Sequence, residues 1–371
     1  MTKRITRGII TILCMFILIL AASCGRQQPD ENDFTEASAQ DPHQYVYEVY
    51  EEHEEYVEDD IYEEYIPSQD IQGIHGLISV VEYGGNRAYI FGSMHIGCES
   101  WYPLSPVVEA AIDRADIFAF EIDLAAQGGR CIREEDPCEY DCLCALMDMM
   151  FLRDGTTLED FLPADVYEIF MENLQTFPIN LDAIAPLRPT TIAELILYEI
   201  VAPSLGFSSE HSIDMYVFNR AEARERPTMG LTDFNDHIAF VSGMPDQYQI
   251  ATAQYFTDFS AMMEEVDELA YIYQTQDIEA LTQMLRAGLA DAYEAYIAGE
   301  ISAAGLALSR YWHYTVGNYR SAFFARQIAA LLTETQEPTT FFVTVGIAHL
   351  TREVNVFYTL QDMGFEVVGL H

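Results

Sequence analysis

Basic residues are scarce in this 371-residue chain: 18 Lys and Arg stand against 60 Asp and Glu, a formal charge of −42. A polymer of that sign repels phosphate backbones and anionic headgroups and attracts cations and basic peptides, which excludes nucleic-acid binding as its function. Familiar catalytic signatures are missing as well. There is no Gly-x-Ser-x-Gly elbow to expose a serine nucleophile, no His-Glu-x-x-His, no P-loop and no dinucleotide fingerprint. Half of the residues are nevertheless hydrophobic, enough to bury a large core in one big domain or two small ones.

The apolar run Ile9 to Ala22 is not part of that core. Lys3, Arg4 and Arg7 precede it and Ala21-Ala22-Ser23-Cys24-Gly25 closes it, the layout of a secretory signal over residues 1–23. A cysteine directly after small residues resembles the bacterial lipoprotein box, although Ala21 stands where leucine is usual. The expectation is a chain lipidated on Cys24 and anchored to a membrane outside the cytoplasm; an uncleaved anchor gives the same compartment. Residues 24–70 show no packing pattern, and Glu48 to Glu64 is a dense run of Glu, Asp and Tyr. That composition predicts a disordered, self-repelling acidic linker. Its roughly 46 residues would span about 35–40 Å as a flexible coil.

Of the 7 cysteines, Cys14 and Cys24 belong to the leader. Cys131, Cys138, Cys142 and Cys144 are clustered, and in an exported protein they read as local disulfides, a structural zinc knuckle or free thiols. Cys98 lies three residues from His95 and is either a soft metal ligand or a small packed residue.

The folded part, 71–371, begins with a β-hairpin: Leu77 to Tyr83 and Arg87 to Phe91 flank Gly84-Gly85-Asn86. Ser105-Pro106 opens a helix, and Ile117 to Ile122 reads as a buried strand. From 157 to 332 the period is mainly helical, with Thr191 to Val201, Gln247 to Leu269 and Ile278 to Ile297 as long apolar stripes and Arg226 to Leu231 as one β-like interruption. Phe341 to Gly346, Arg352 to Met363 and Phe365 to Leu370 end the chain as strand, helix, strand, with Gly364 as the helix C-cap. The fold class is α/β, mostly α by content: a central sheet assembled from both chain ends around a large helical insertion.

Two short phrases carry the chemistry. Gly92-Ser93-Met94-His95 and Gly346-Ile347-Ala348-His349 each follow an apolar β-rich run. A strand that ends in glycine and then delivers histidine puts the imidazole at the sheet's carboxyl edge, where ligands bind in open α/β sheets. Glu121 ends another strand in the same sense. Two neutral imidazoles and a carboxylate form a recurring ligand set for zinc, manganese, cobalt or iron; a metal-free site, with histidine as general base oriented by Glu121, uses the same residues. Arg188 and Arg320, rare cations in an acidic chain, are candidates to clamp a substrate carboxylate or stabilise an oxyanion. Asp214 is a candidate to orient a site group or to sit at a helix N-terminus. His211, His237 and His313 read as surface or capping residues.

Phe91-Gly92-Ser93-Met94-His95-Ile96-Gly97, Phe120-Glu121-Ile122-Asp123 and Val345-Gly346-Ile347-Ala348-His349-Leu350 resemble the signatures of the TraB/GumN family, which includes the Tiki-type metalloproteases. Arg188-Pro189, Ser212-Ile213-Asp214, Arg320-Ser321 and the closing Gly364 to Val367 extend the resemblance over about residues 74–371. It implies a divalent-metal centre at His95, Glu121 and His349, and a membrane-tethered metal-dependent peptidase acting on peptide or protein substrates. The chain departs from the family pattern at Leu231-Thr232-Asp233, where Leu-Glu-Thr is common, and at Ser321, where asparagine follows the arginine. An alternative from another class is a non-catalytic surface module that binds or sequesters a peptide signal.

Overall fold

Alternating and continuous apolar runs set the strands. The computed structural model describes residues 73–124, 149–233, 236–237, 240 and 243–370, and there the strands are β1 (Ile78–Tyr83), β2 (Asn86–Ser93), β3 (Ile117–Ile122), β4 (Thr228–Thr232), β5 (Thr340–Gly346) and β6 (Val367–Gly369). They form one sheet in the order β4-β3-β5-β2-β1-β6. Residues 1–72, with the expected secretory signal and acidic linker, and Cys131, Cys138, Cys142 and Cys144 lie outside the described residues. β4, β3, β5 and β2 run parallel, while β1 is antiparallel to both β2 and β6. The central strands Ile-Phe-Ala-Phe-Glu-Ile and Thr-Phe-Phe-Val-Thr-Val-Gly are apolar almost throughout because helices cover both faces of a parallel sheet. Phe342 of β5 joins its neighbours, with ring centroids 6.0 Å from both Phe91 of β2 and Phe118 of β3. The β1–β2 hairpin turns on Gly84 and Gly85 at φ 60° and 96°, the two positive dihedrals that a tight two-residue turn demands.

Helices fill the rest: α1 (Pro106–Arg114), α2 (Ala164–Leu174), α3 (Pro189–Ile196), α4 (Ile213–Glu222), α5 (Asp246–Gln254), α6 (Phe259–Thr275), α7 (Ile278–Ile297), α8 (Ala303–Arg310), α9 (Arg320–Glu334), α10 (Ala348–Thr351) and α11 (Val356–Asp362). A π-helical turn, Leu197–Val201, continues α3, and a π-helical stretch, Tyr311–Tyr319, joins α8 to α9. One hydrophobic cluster joins the sheet to the helical insertion, running from Ile78 and Phe342 to Phe170, Val266 and Leu308, and a small second one, Ala292, Ala295 and Ile301, closes the far end of α7. Among the described residues no helix is long and apolar enough to cross a membrane.

Several boundaries differ from the sequence reading, each for a local reason. The stripe Gln247 to Leu269 is two helices, because Asp258 accepts from the Ala261 N–H and starts α6 afresh. The helix expected over Arg352 to Met363 starts later, at Val356, because Asn355 caps α11 by accepting from Tyr358 N–H at 2.9 Å. The apolar helix begins at Pro189, and its second half is π-helical. Ser105 stands at the N-cap of α1 without a capping bond. Its hydroxyl instead lies 3.0 Å from His75 Nδ1, and His75 Nε2 lies 2.8 Å from the Leu370 carbonyl, so one buried imidazole ties the first described segment to the last.

Candidate functional site

The parallel pairing of β2 with β5 brings the two histidine phrases together. Ser93 is in register with Gly346, and the Ile347 N–H donates to the Ser93 carbonyl at 2.9 Å. β3 flanks β5 on its other side and delivers Glu121 to the same edge. The Glu121 carboxylate accepts from the Gly346 N–H at 2.7 Å through Oε1 and from Arg320 Nη2 at 3.0 Å through Oε2. His349 Nε2 lies 3.7 Å from Oε1. Both glycines are there for space rather than for unusual dihedrals. A Cβ on Gly346 would stand 3.1 Å from Glu121 Oε1, 3.6 Å from His95 Nε2 and 3.8 Å from His349 Cδ2, at the centre of the cluster. On Gly92 it would run into Ile347 Cδ1 and crowd Leu350 Cδ1 at 3.1 Å, so that residue is needed for close packing of β2 against the segment after β5.

Each imidazole is held from behind. His95 Nδ1 lies 3.0 Å from Asp214 Oδ2, and the Ser93 hydroxyl donates to Oδ1 of the same carboxylate at 3.0 Å. Asp214 is fixed in turn by its place in the first turn of α4, whose N-cap Ser212 accepts from the Met215 N–H. His349 Nδ1 lies 2.9 Å from Ser321 Oγ, and that hydroxyl donates to the Gly317 carbonyl at 2.8 Å. With its only proton committed, Ser321 must accept, so His349 carries its proton on Nδ1 and presents a bare Nε2 toward Glu121. Arg320 is buried between the rings of Phe240 and Phe324, 5.7 and 4.9 Å from its guanidinium, and its Nη1 lies 3.0 Å from His237 Nδ1.

The electrostatics follow from that packing. Burial alone would push Glu121 up, but His349, Arg320, His95 and the Gly346 N–H bring it down to about 2, and it is ionised. Burial holds His349 down at about 4, neutral at pH 7. Burial opposes the charged form of His95, yet the Asp214 carboxylate outweighs it and raises that imidazole to about 9. Burial and the adjacent guanidinium lower His237 to about 3, so it accepts from Arg320 as a neutral ring.

A cavity of about 580 Å³, its mouth included, opens beside His95, Glu121 and His349. Arg188 is not among its lining residues; its Nε donates to the Phe151 carbonyl at 3.2 Å. Cys98 is half-buried beside Ser100, and His211 is exposed, as expected. His237 and His313 are corrections: both are buried, the first against Arg320 and the second 3.5 Å from Glu353. Isolated histidines in helical sequence give no sign of which cation they will face. Ser93 and Ser321 were also missed as orienting groups, and Ser321, a departure from the family pattern, proves to be the partner of His349. Thr232 ends β4 opposite Ile122, and the Asp233 carbonyl accepts from the His237 N–H.

The donor set suits a divalent ion by its chemistry. Two rings have their Nδ1 atoms engaged and their Nε2 atoms on the side of one carboxylate, the arrangement in which metal-binding histidines are oriented. Among the described residues, however, no three His, Cys, Asp or Glu side chains already stand as a formed metal site.

No curated protein and no solved structure matches the chain. The model of the TraB/PrgY/gumN family matches residues 77–368, from the first strand to the last and across every residue of the cluster, and the chain belongs to that family.

Proposed function

We propose that this chain is a metal-dependent hydrolase of peptide bonds, with His95 and His349 binding a manganese, cobalt or zinc ion through Nε2 and Glu121 through its carboxylate. The observation that carries the reading is the β2–β5 register, which sets both imidazoles beside Glu121 with their Nδ1 atoms held. When bound, the ion would lower the pKa of a water and polarise the scissile carbonyl. The protein's part is positional. Asp214 and Ser321 fix the rings, Arg320 keeps Glu121 ionised and aimed, and the missing Cβ of Gly346 leaves room for the reacting groups. Asp214 also holds a proton on His95, so ion binding would release it and affinity would rise with pH. Arg320 is better suited to holding Glu121 than to clamping a substrate, since both of its terminal nitrogens are engaged. The basic–apolar leader and Cys24 support a site outside the cytoplasm, tethered by lipid to the membrane.

Elemental analysis of the purified chain, beside His95→Ala and His349→Ala, tests this. The expected result is about one divalent ion per chain, absent from both variants. No ion after manganese, cobalt and zinc have each been supplied would overturn it. The second reading, a peptide-binding module without catalysis, draws on the closed ion pair of Arg320 with Glu121. Saturable peptide binding with no product in the presence of those metals would favour it.

A further inference from the structure

The cavity has two unlike ends. Its floor is the cluster, and its walls come from four separate elements: Leu197 and Tyr198 from the π-helical turn after α3, Leu269 from α6, Leu285 from α7 and Ile347 from the segment after β5. Among the described residues that line it, none outside the cluster is charged, in a chain with 60 acidic residues. Each wall residue is less than a tenth exposed, so the walls belong to the core, yet a void remains between them. Close-packed interiors leave few such spaces, because unfilled apolar walls lose dispersion contacts. The turn that supplies two of the walls has the wider π-helical winding that recurs at functional sites.

We propose that this cavity is a side-chain subsite that selects an apolar residue, so that the peptides this chain takes carry leucine, methionine or phenylalanine beside the bond held at His95, Glu121 and His349. The inference rests on the hydrolase reading for what happens at the floor, and on the walls alone for what is selected. An acidic or basic side chain entering there would lose its hydration and find no opposite charge on the walls. On the walls, phosphate or sugar would find no cation and no polar side chain besides Tyr198. An aliphatic or aromatic side chain loses only water from its surface and fills the space.

The test uses the full chain and a series of N-acetyl amino-acid amides (Gly, Ala, Leu, Phe, Asp, Lys), titrated calorimetrically, followed by cleavage assays on peptides differing only at that residue. Leu or Phe amides should bind at least roughly 10-fold tighter than Gly, with Asp and Lys no tighter than Gly. Leu285→Phe, which fills part of the space, should shift the preference toward Ala; Leu269→Asn should flatten it. Thermal melts of both variants identify any that fail to fold, and Leu197→Phe then replaces the lost one. Equal binding across the series, or a preference that neither variant moves, would overturn the subsite. Apolar-selective binding without cleavage, with metal supplied, would sink the hydrolase reading and leave the subsite standing. Cleavage without apolar preference would do the reverse.

Discussion

At the scale of single residues, the cluster separates groups that touch from groups that hold. The Asp214 carboxylate is hydrogen-bonded to His95 and Ser93, so Asp214→Asn should leave the fold intact while weakening metal binding by about 10–100-fold, as loss of a ligand's orienting partner does; competition against a fluorescent chelator reads this directly, and unchanged affinity would remove Asp214 from the role. The two strand-end glycines should fail in different ways. Gly92→Ala drives a methyl into Ile347 and Leu350 and should cost about 1–3 kcal/mol in a urea melt. In Gly346→Ala the nearest atoms to the new methyl are side-chain atoms of Glu121, His95 and His349, with Glu121 crowded at 3.1 Å, so its melt should fall less than that of Gly92→Ala while metal content and turnover fall. Equal destabilisation by both would mean that Gly346, too, is there merely for packing. These residues were partly legible beforehand. The Gly-x-x-His phrases announced His95 and His349 because a strand followed by glycine fixes where the next polar side chain emerges. Ser321 and His237 were not legible, since their roles depend on contacts made across 28 and 83 residues of chain.

At the scale of elements, apolar periodicity located strands and helices but not where helices stop. β3 and β5 were evident because a continuous apolar run fits only a strand covered on both faces. The break between α5 and α6 was hidden because apolar residues continue through it; only the Asp258 cap marks the restart. Asp258→Ala should therefore cost about 0.5–2 kcal/mol, seen as a lower melting temperature, and a melt unchanged within error would show that α6 is set by packing alone. The π-helical turn at Leu197–Val201, which packs against α6, had no signature in the apolar periodicity.

At the scale of the molecule, buried neutral histidines link folding to acidity. His237 is depressed to about 3 and His313 to about 4 in the fold, against an ordinary value of 6.5. Arg320 faces the first; Arg352 and Glu353 face the second. Between each folded value and 6.5 the unfolded chain binds a proton that the folded one does not, so stability rises with pH across that window and is lost as pH falls through it. Urea midpoints from pH 7 to 4 should fall for the wild type and fall less for His237→Asn; parallel curves would show that His237 is not a source of the acid sensitivity. The acidic composition itself was plain from the sequence, but which groups lie shielded from water was not.

The antiparallel ends of the sheet bear on how the molecule can be attached to anything else. β1 starts beside the end of β2, with Ile78 opposite Phe91, and β6 finishes beside the start of β1, where the Leu370 N–H donates to the Ile78 carbonyl. The first described strand therefore starts, and the last ends, at the edge that carries His95 and His349, one to three strand widths away, about 5–15 Å. A reporter or tether joined directly after Leu370, or directly before Gly73, stands on the cavity's own side of the sheet. The Gly84–Gly85 turn marks the opposite edge, and it is the position for an inserted label, or for new termini in a circular permutant, that leaves the mouth clear.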